Sequence, residues 1–418
     1  MYVSVRDRPG TDTTPAGRRG RVASTVVLLG VVSLLTDVSS EMVNAVLPIY
    51  LTKVLGLGIL AYGVVDGIYQ GVSALVRVVG GYLADRYDHP KWVAAAGYSV
   101  SALSRIALLP AHGFASVSAV ITADRLGKGL RTAPRDTMIA AASPPDALGR
   151  NFGVHRALDT VGATIGPLAA FGLLLFVADG YDAIFVVSFA VAVAGVAVLV
   201  LLVPGRRARR RQGPRTVTAR GVLRQLASPA VRRPVAAAGL LGLVTIGDGF
   251  LYLALQDRDN LAARYFPLLY VGTNIAYLAL AVPLGRLADR IGRARVFVGG
   301  QLALVAVYLV ASGPLSGLGT TVVALALLGT YYAATDGVLP ALVSRVAPET
   351  GRASAIAAAQ TAVVLARFVA SLGFGWLWMT IGLQHALWLA CGLLLVALPA
   401  AGWLLGLHRR GTPARVAP

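Results

Sequence analysis

Apolar runs alternate with short polar stretches along the whole chain of 418 residues. A helix needs about 20 apolar residues to cross the hydrocarbon core of a bilayer. The pattern predicts twelve such helices, over 24–52, 60–84, 92–111, 114–139, 150–177, 181–203, 234–256, 264–287, 295–312, 317–343, 353–380 and 383–407. The first run follows a polar, arginine-bearing stretch and precedes many more, so it reads as a retained helix and not a cleaved signal peptide. The fold class expected is an all-α membrane protein. Composition agrees: 14% of residues are charged and mean hydropathy is +0.70, whereas soluble domains carry about 25% charged residues.

The net charge of +19 would suggest nucleic acid in a soluble chain. No interleaved aromatic and basic pattern supports that partner, and the basic residues sit mainly between apolar runs. Arg6, Arg8, Arg18, Arg19 and Arg21 precede the first run, Arg86 and Lys91 follow the second, and Arg286, Arg290, Arg293 and Arg295 follow the eighth. Arg409, Arg410 and Arg415 follow the last. The alternate connections carry Lys53, His112, Asp179 and Asp182, with Arg258 and Arg264 the exceptions. The positive-inside rule then places both termini in the cytoplasm of a cell-membrane protein. The long link 204–233, with "RRARRRQGPR", reads as a cytoplasmic linker resting on anionic lipid. It separates 24–203 from 234–407, with tails at 1–23 and 408–418.

An internal repeat supports two halves. "GGYLADRYDHPK" ends the second run and "LGRLADRIGRAR" the eighth. Gly81 and Gly285, Asp85 and Asp289, and Arg86 and Arg290 are each 204 residues apart. Gly149-Arg150 and Gly351-Arg352 echo each other before runs 5 and 11. Two six-helix halves in parallel order, with G-x-x-x-D-R at equivalent helix ends, resemble the major facilitator superfamily. The second copy also matches that loop at Gly292 and Arg293; the first departs from it at Asp88, His89 and Pro90. The resemblance implies a conformational latch formed by Gly81, Asp85, Arg86, Gly285, Asp289, Arg290 and Arg293. An acid there accepts hydrogen bonds from a neighbouring helix and pairs with an arginine in one state only.

Charge inside the apolar runs is the second signal, because ionisable groups in a membrane mark functional sites by default. In run 4, Asp124, Arg125, Lys128, Arg131, Arg135 and Asp136 fall within roughly 140° of a helix circumference. Run 1 places Asp37, Glu41, Asn44 and Pro48 on one stripe roughly 60° wide. Two buried carboxylates on one stripe need a proton, a cation or a counter-charge, and Arg125 or Arg77 is expected to supply the last. In run 5, His155, Asp159, Gly162 and Gly166 share a face. His155 over Asp159 reads either as a proton pair or as a structural tie. Arg125-x-x-Lys128-Gly129 resembles the R-x-x-Q-G motif of drug:proton antiporters, with Lys128 in place of glutamine. Gly153, Gly162, Gly166 and Pro167 resemble the helix 5 motif of exporters, without its final Gly-Gly. The resemblance implies that Arg125 tunes a nearby acid during proton transfer and that helix 5 takes part in gating.

The proton-coupling candidates are therefore Asp37, Glu41, Arg125, His155 and Asp159. Candidate substrate contacts are Asn44, Lys128, Arg131 and Arg156 in the first half, and Asp248, Asn274, Tyr277, Tyr331, Asp336, Gln360 and Arg367 in the second. The expected protein is a monomeric secondary transporter exporting a small molecule or drug against protons. Two alternatives stay open: a carrier of an anionic metabolite using the basic face of helix 4, and a non-transporting scaffold or receptor. No phosphate loop, nucleophile–base set or metal cluster points to an enzyme, a cofactor or a metal. The single cysteine, Cys391, excludes an internal disulfide.

Overall fold

A computed structural model describes residues 22–87, 89–144, 147–205, 229–336 and 352–405, with side chains at all of these except 74–75, 77–87, 229–230 and 352–359. Among them there is no strand. The helices are α1 (Ser24–Asn44, continued by Leu47–Ile49 and a π turn, Tyr50–Val54), α2 (Ile59–Tyr87), α3 (Pro90–Ala107) and α4 (Phe114–Ala141). Next come α5 (Leu148–Phe176) and α6 (Tyr181–Ala197, closed by a π turn, Val198–Leu202). The second half holds α7 (in two pieces, Pro229–Leu243 and Asp248–Arg258), α8 (Phe266–Ile291), α9 (Arg293–Ser312), α10 (Leu318–Thr335), α11 (Arg352–Ile381) and α12 (Leu383–Leu404). Among the described residues, nine helices, α1 and α5 through α12, are long and apolar enough to cross a membrane. α4 falls short because of its charged face. Phe176, Leu201 and Val396 are exposed on the outer surface, as hydrocarbon-facing side chains should be.

The halves are built alike. α1 packs on α5, and α2 and α3 on α4; in the second half α7 packs on α11, and α8 and α9 on α10. Small residues make these approaches close. A Cβ on Gly129 of α4 would lie 2.8 Å from the Ser73 carbonyl of α2, and one on Gly329 of α10 would lie 2.8 Å from the Thr273 carbonyl of α8. Tight turns at Gly292 (φ +103°) and Gly382 (φ +81°) join α8 to α9 and α11 to α12. A side chain there would be strained. Lys91 donates to the Val200 and Val203 carbonyls at 2.9 and 2.7 Å, capping the end of α6.

The seventh run, expected as one helix, is broken at Val244–Gly247. Backbone freed in a membrane must find other partners. Tyr308 of α9 supplies them: its hydroxyl accepts from the Ile246 N–H at 2.8 Å and donates to the Val244 carbonyl at 3.2 Å.

The halves meet chiefly at the face with few basic loops. Lys53 pairs with Asp257 at 2.7 Å, and Phe171 stacks on Tyr265 with centroids 6.0 Å apart. Gly249 lies against Tyr62 and Pro48, and Gly63 against Ser371 and Gly375. The Arg258 and Arg264 exception to the charge pattern lies at this same face. Arg258 grips Asp259 through two bonds of 2.8 and 2.9 Å, so its charge is locally balanced.

Candidate functional site

α4 carries the densest charge. Asp124 is its centre, held by Arg105 of α3 at 2.7 Å through one oxygen. Arg125 grips the other oxygen, through Nε at 2.8 Å and through Nη2. Arg105 also donates to Ser40 of α1 at 3.0 Å, and the Arg125 guanidinium lies 3.8 Å from the centroid of the Tyr69 ring of α2. Arg105, Asp124 and Arg125 are all at most 2% exposed. The group ties four helices together. It also corrects an expectation: the direct counter-charge of Arg125 is its neighbour Asp124, and Glu41 is a more distant charge. Arg77 lies outside the described side chains.

The stripe on α1 meets α5. Asp37 lies within hydrogen-bonding reach of Asp159, with Lys128 and Arg131 beside it. This approach depends on glycine. A Cβ on Gly162 would sit 2.5 Å from the Leu34 carbonyl, and one on Gly166 would sit 2.7 Å from the Val38 carbonyl. Gly153 faces open space. Asp37, Asp159, Lys128 and Arg131 thus form a cluster of opposite charges at the contact of α1 with α5. Glu41 accepts from Asn44 at 2.9 Å, which makes Asn44 a partner of the acid stripe. The expected His155–Asp159 pair does not form: His155 bonds Ser33 of α1 at 2.9 Å, and Asp159 instead has Arg156 at 3.5 Å. Arg135 pairs with Asp136 at 2.9 Å. Arg131 stacks over Tyr98 at 4.6 Å.

Between the halves lies a cavity of ≈ 880 Å³, part of it open to solvent. Its walls are Arg156, Asp159, Thr160 and Thr164 of α5, Asp248 and Tyr252 of α7, Tyr270, Asn274 and Tyr277 of α8, Tyr332 of α10, and Asp336 just past its end. Tyr332 donates to Asp248 at 2.5 Å. Thus Arg156, Asp248, Asn274, Tyr277 and Asp336 line the cavity as expected of substrate contacts. The remaining candidates, Asn44, Lys128, Arg131, Tyr331, Gln360 and Arg367, lie elsewhere. Tyr331 is buried and accepts from Arg367 at 3.0 Å. Gln360 is exposed. Arg156 is the only cation in the described wall, against three carboxylates.

Two polar groups escaped the sequence reading. Arg105 sits in a run otherwise read as apolar, and Asp66 interrupts "AYGVVDGIYQG". The second was readable by the rule that marked Asp37. For the latch, Asp289 pairs with Arg293 across the Gly292 turn at 3.0 Å, joining α8 to α9. Gly285 has open space beside it and Arg290 is exposed. Gly81, Asp85 and Arg86 lie outside the described side chains.

Comparison with known proteins agrees with this architecture. The family described as Major Facilitator Superfamily matches residues 29–273 and 258–417. An uncharacterized MFS-type transporter of Methanocaldococcus jannaschii is 31% identical over 369 residues, covering 85% of this chain and 89% of that one. Among solved structures, a variant of the nucleoside transporter NupG superposes with TM-score 0.79 at 14% identity, over 91% of this chain and 100% of the other. A POT family transporter in complex with 5-aminolevulinic acid gives TM-score 0.77 at 12% identity, over 93% and 97%.

Proposed function

Because the chain belongs to the major facilitator superfamily, we propose that this membrane transporter is a proton-coupled exporter of a polar, ring-bearing small molecule. It works by alternating access of one cavity to the two sides of the membrane. The observation that carries the reading is the double position of Asp159. Its carboxyl reaches Asp37 on one side and lines the cavity on the other. A substrate polar group that binds Asp159 competes with a proton shared by the two carboxyls, and such competition is the exchange an antiporter needs.

Tyrosines 252, 270, 277 and 332 offer the cavity flat apolar faces with hydroxyl ends, suited to a ring with polar substituents. The wall's three carboxylates and one arginine weigh against an anionic cargo. Lys128 and Arg131 serve the acid stripe in this reading and tune it by their charge. With the basic face cytoplasmic, contacts at the low-charge face close the outside. The cavity is then the inward-open form, ready to load from the cytoplasm. Counterflow of a substrate library in proteoliposomes, with and without a pH gradient, tests this. An accepted substrate whose accumulation ignores the gradient would reject the coupling.

A further inference from the structure

Ser371 of α11 faces α2 across the boundary between the halves. Its Oγ lies 2.9 Å from the Gly63 carbonyl oxygen and 2.8 Å from Asp66 Oδ2. Both are hydrogen-bond distances. A serine hydroxyl owns a single proton, and a carbonyl oxygen or an ionised carboxylate has none to give. Ser371 is 1% exposed, which leaves little room for water to mediate. Without a proton on Asp66 the single hydroxyl proton is shared between two acceptors; two full hydrogen bonds form only when a second proton sits on Asp66. Asp66 Oδ2–H then donates to Ser371 Oγ, and Ser371 Oγ–H donates to Gly63. We propose that Asp66 is a second proton-binding site, placed on the seam between the halves, and that its proton holds α2 to α11.

The surroundings fit a neutral Asp66. Gln70, on its own helix, lies beside the carboxyl. The charged groups facing it are Asp248 of α7 and Arg367 of α11; the titratable hydroxyls are Tyr62 of α2 and Tyr270 of α8. The one guanidinium, Arg367, is shared by Asp66, Asp248 and Asp336 and cannot balance all three, and Asp248 already receives a hydroxyl bond, from Tyr332. The α7 break brings backbone close as well: a Cβ on Gly247 would lie 2.5 Å from Asp66 Oδ2. When the proton leaves, the carboxylate and the Gly63 carbonyl compete for one hydroxyl proton. The seam loses a bond where α2 and α11 run closest, and the low-charge face is freed to part.

This site is separate from Asp37–Asp159 and relies on the transport reading only for its use. Infrared difference spectroscopy of the full-length protein in lipid bilayers, titrated with pH, tests it without any transport. The wild type should show a carboxylic C=O band that Asp66→Asn removes. Ser371→Ala should keep that band but shift both its frequency and its titration midpoint, since the lost hydroxyl bonds the carboxyl directly. Spin labels on the low-charge ends of α2 and α11 should stay close at every pH in Asp66→Asn, whose amide N–H replaces the acid proton. The proposal is overturned if Asp66→Asn removes no carboxylic band, or if Ser371→Ala changes neither frequency nor midpoint. If Asp66→Asn does not fold, Ser371→Ala alone decides. A band that behaves as expected beside pH-independent transport would retain this site and reject the coupling at Asp37.

Discussion

Arg105, Asp124 and Arg125 form a buried ion group whose members satisfy one another, and removing one strands the rest. Breaking a buried pair costs about 3–5 kcal/mol, so Arg105→Ala should unfold the protein well below the wild-type melting temperature in detergent. Arg125→Lys keeps charge but loses both the planar grip on Asp124 and the stack on Tyr69; it should destabilise nearly as much. A melting temperature unchanged in both variants would refute this role. Asp259 gives a pH-dependent counterpart outside the spans. Burial works against its charge, but bonds from Arg258, Thr321 and the Gly317 N–H outweigh that and hold its carboxyl down at about 2. A depressed carboxylate stabilises the fold above its unfolded value, and the effect fades as pH falls toward the folded one. Asp259→Asn should therefore cost about 2 kcal/mol near pH 7, and its deficit should narrow below about pH 4. Thermal melts from pH 7 to 3 would measure it; a deficit constant with pH would exclude the mechanism.

Most helices were legible from the apolar runs, and the positions of Gly162 and Gly166 from a spacing that put them on one helix face. Their use follows from geometry: each meets a backbone carbonyl of α1, and the contact sets Asp159 against Asp37. Gly162→Ala should lower the melting temperature and slow transport, whereas Gly153→Ala, with open space around it, should change neither. Equal effects from the two would mean that the α1–α5 crossing does not depend on glycine. What the sequence hid is instructive. Residue spacing places side chains on a face but does not choose among partners on other helices. Spacing puts His155 over Asp159, yet its bond goes to Ser33; it offers Arg125 or Arg77 to the acids of α1, yet Arg125 grips Asp124. The break in α7 was hidden because Tyr308, the residue that supports it, lies on α9.

At the scale of the whole molecule, two similar halves touch at one face and leave a cavity between them. The repeat and the alternation of basic loops made that layout readable; the cavity was not, because its walls come from α5, α7, α8 and α10 and assemble only in three dimensions. In the proposed mechanism proton and substrate meet at Asp159, and Asp37 shares the proton. The most direct measurement is transport by Asp37→Asn in proteoliposomes. The account predicts that accumulation driven by a pH gradient is lost, while exchange of labelled for unlabelled substrate at equal pH persists, because reorienting a loaded carrier needs no net proton flow. Accumulation against the substrate gradient by Asp37→Asn, at the wild-type level and still driven by pH, would contradict it.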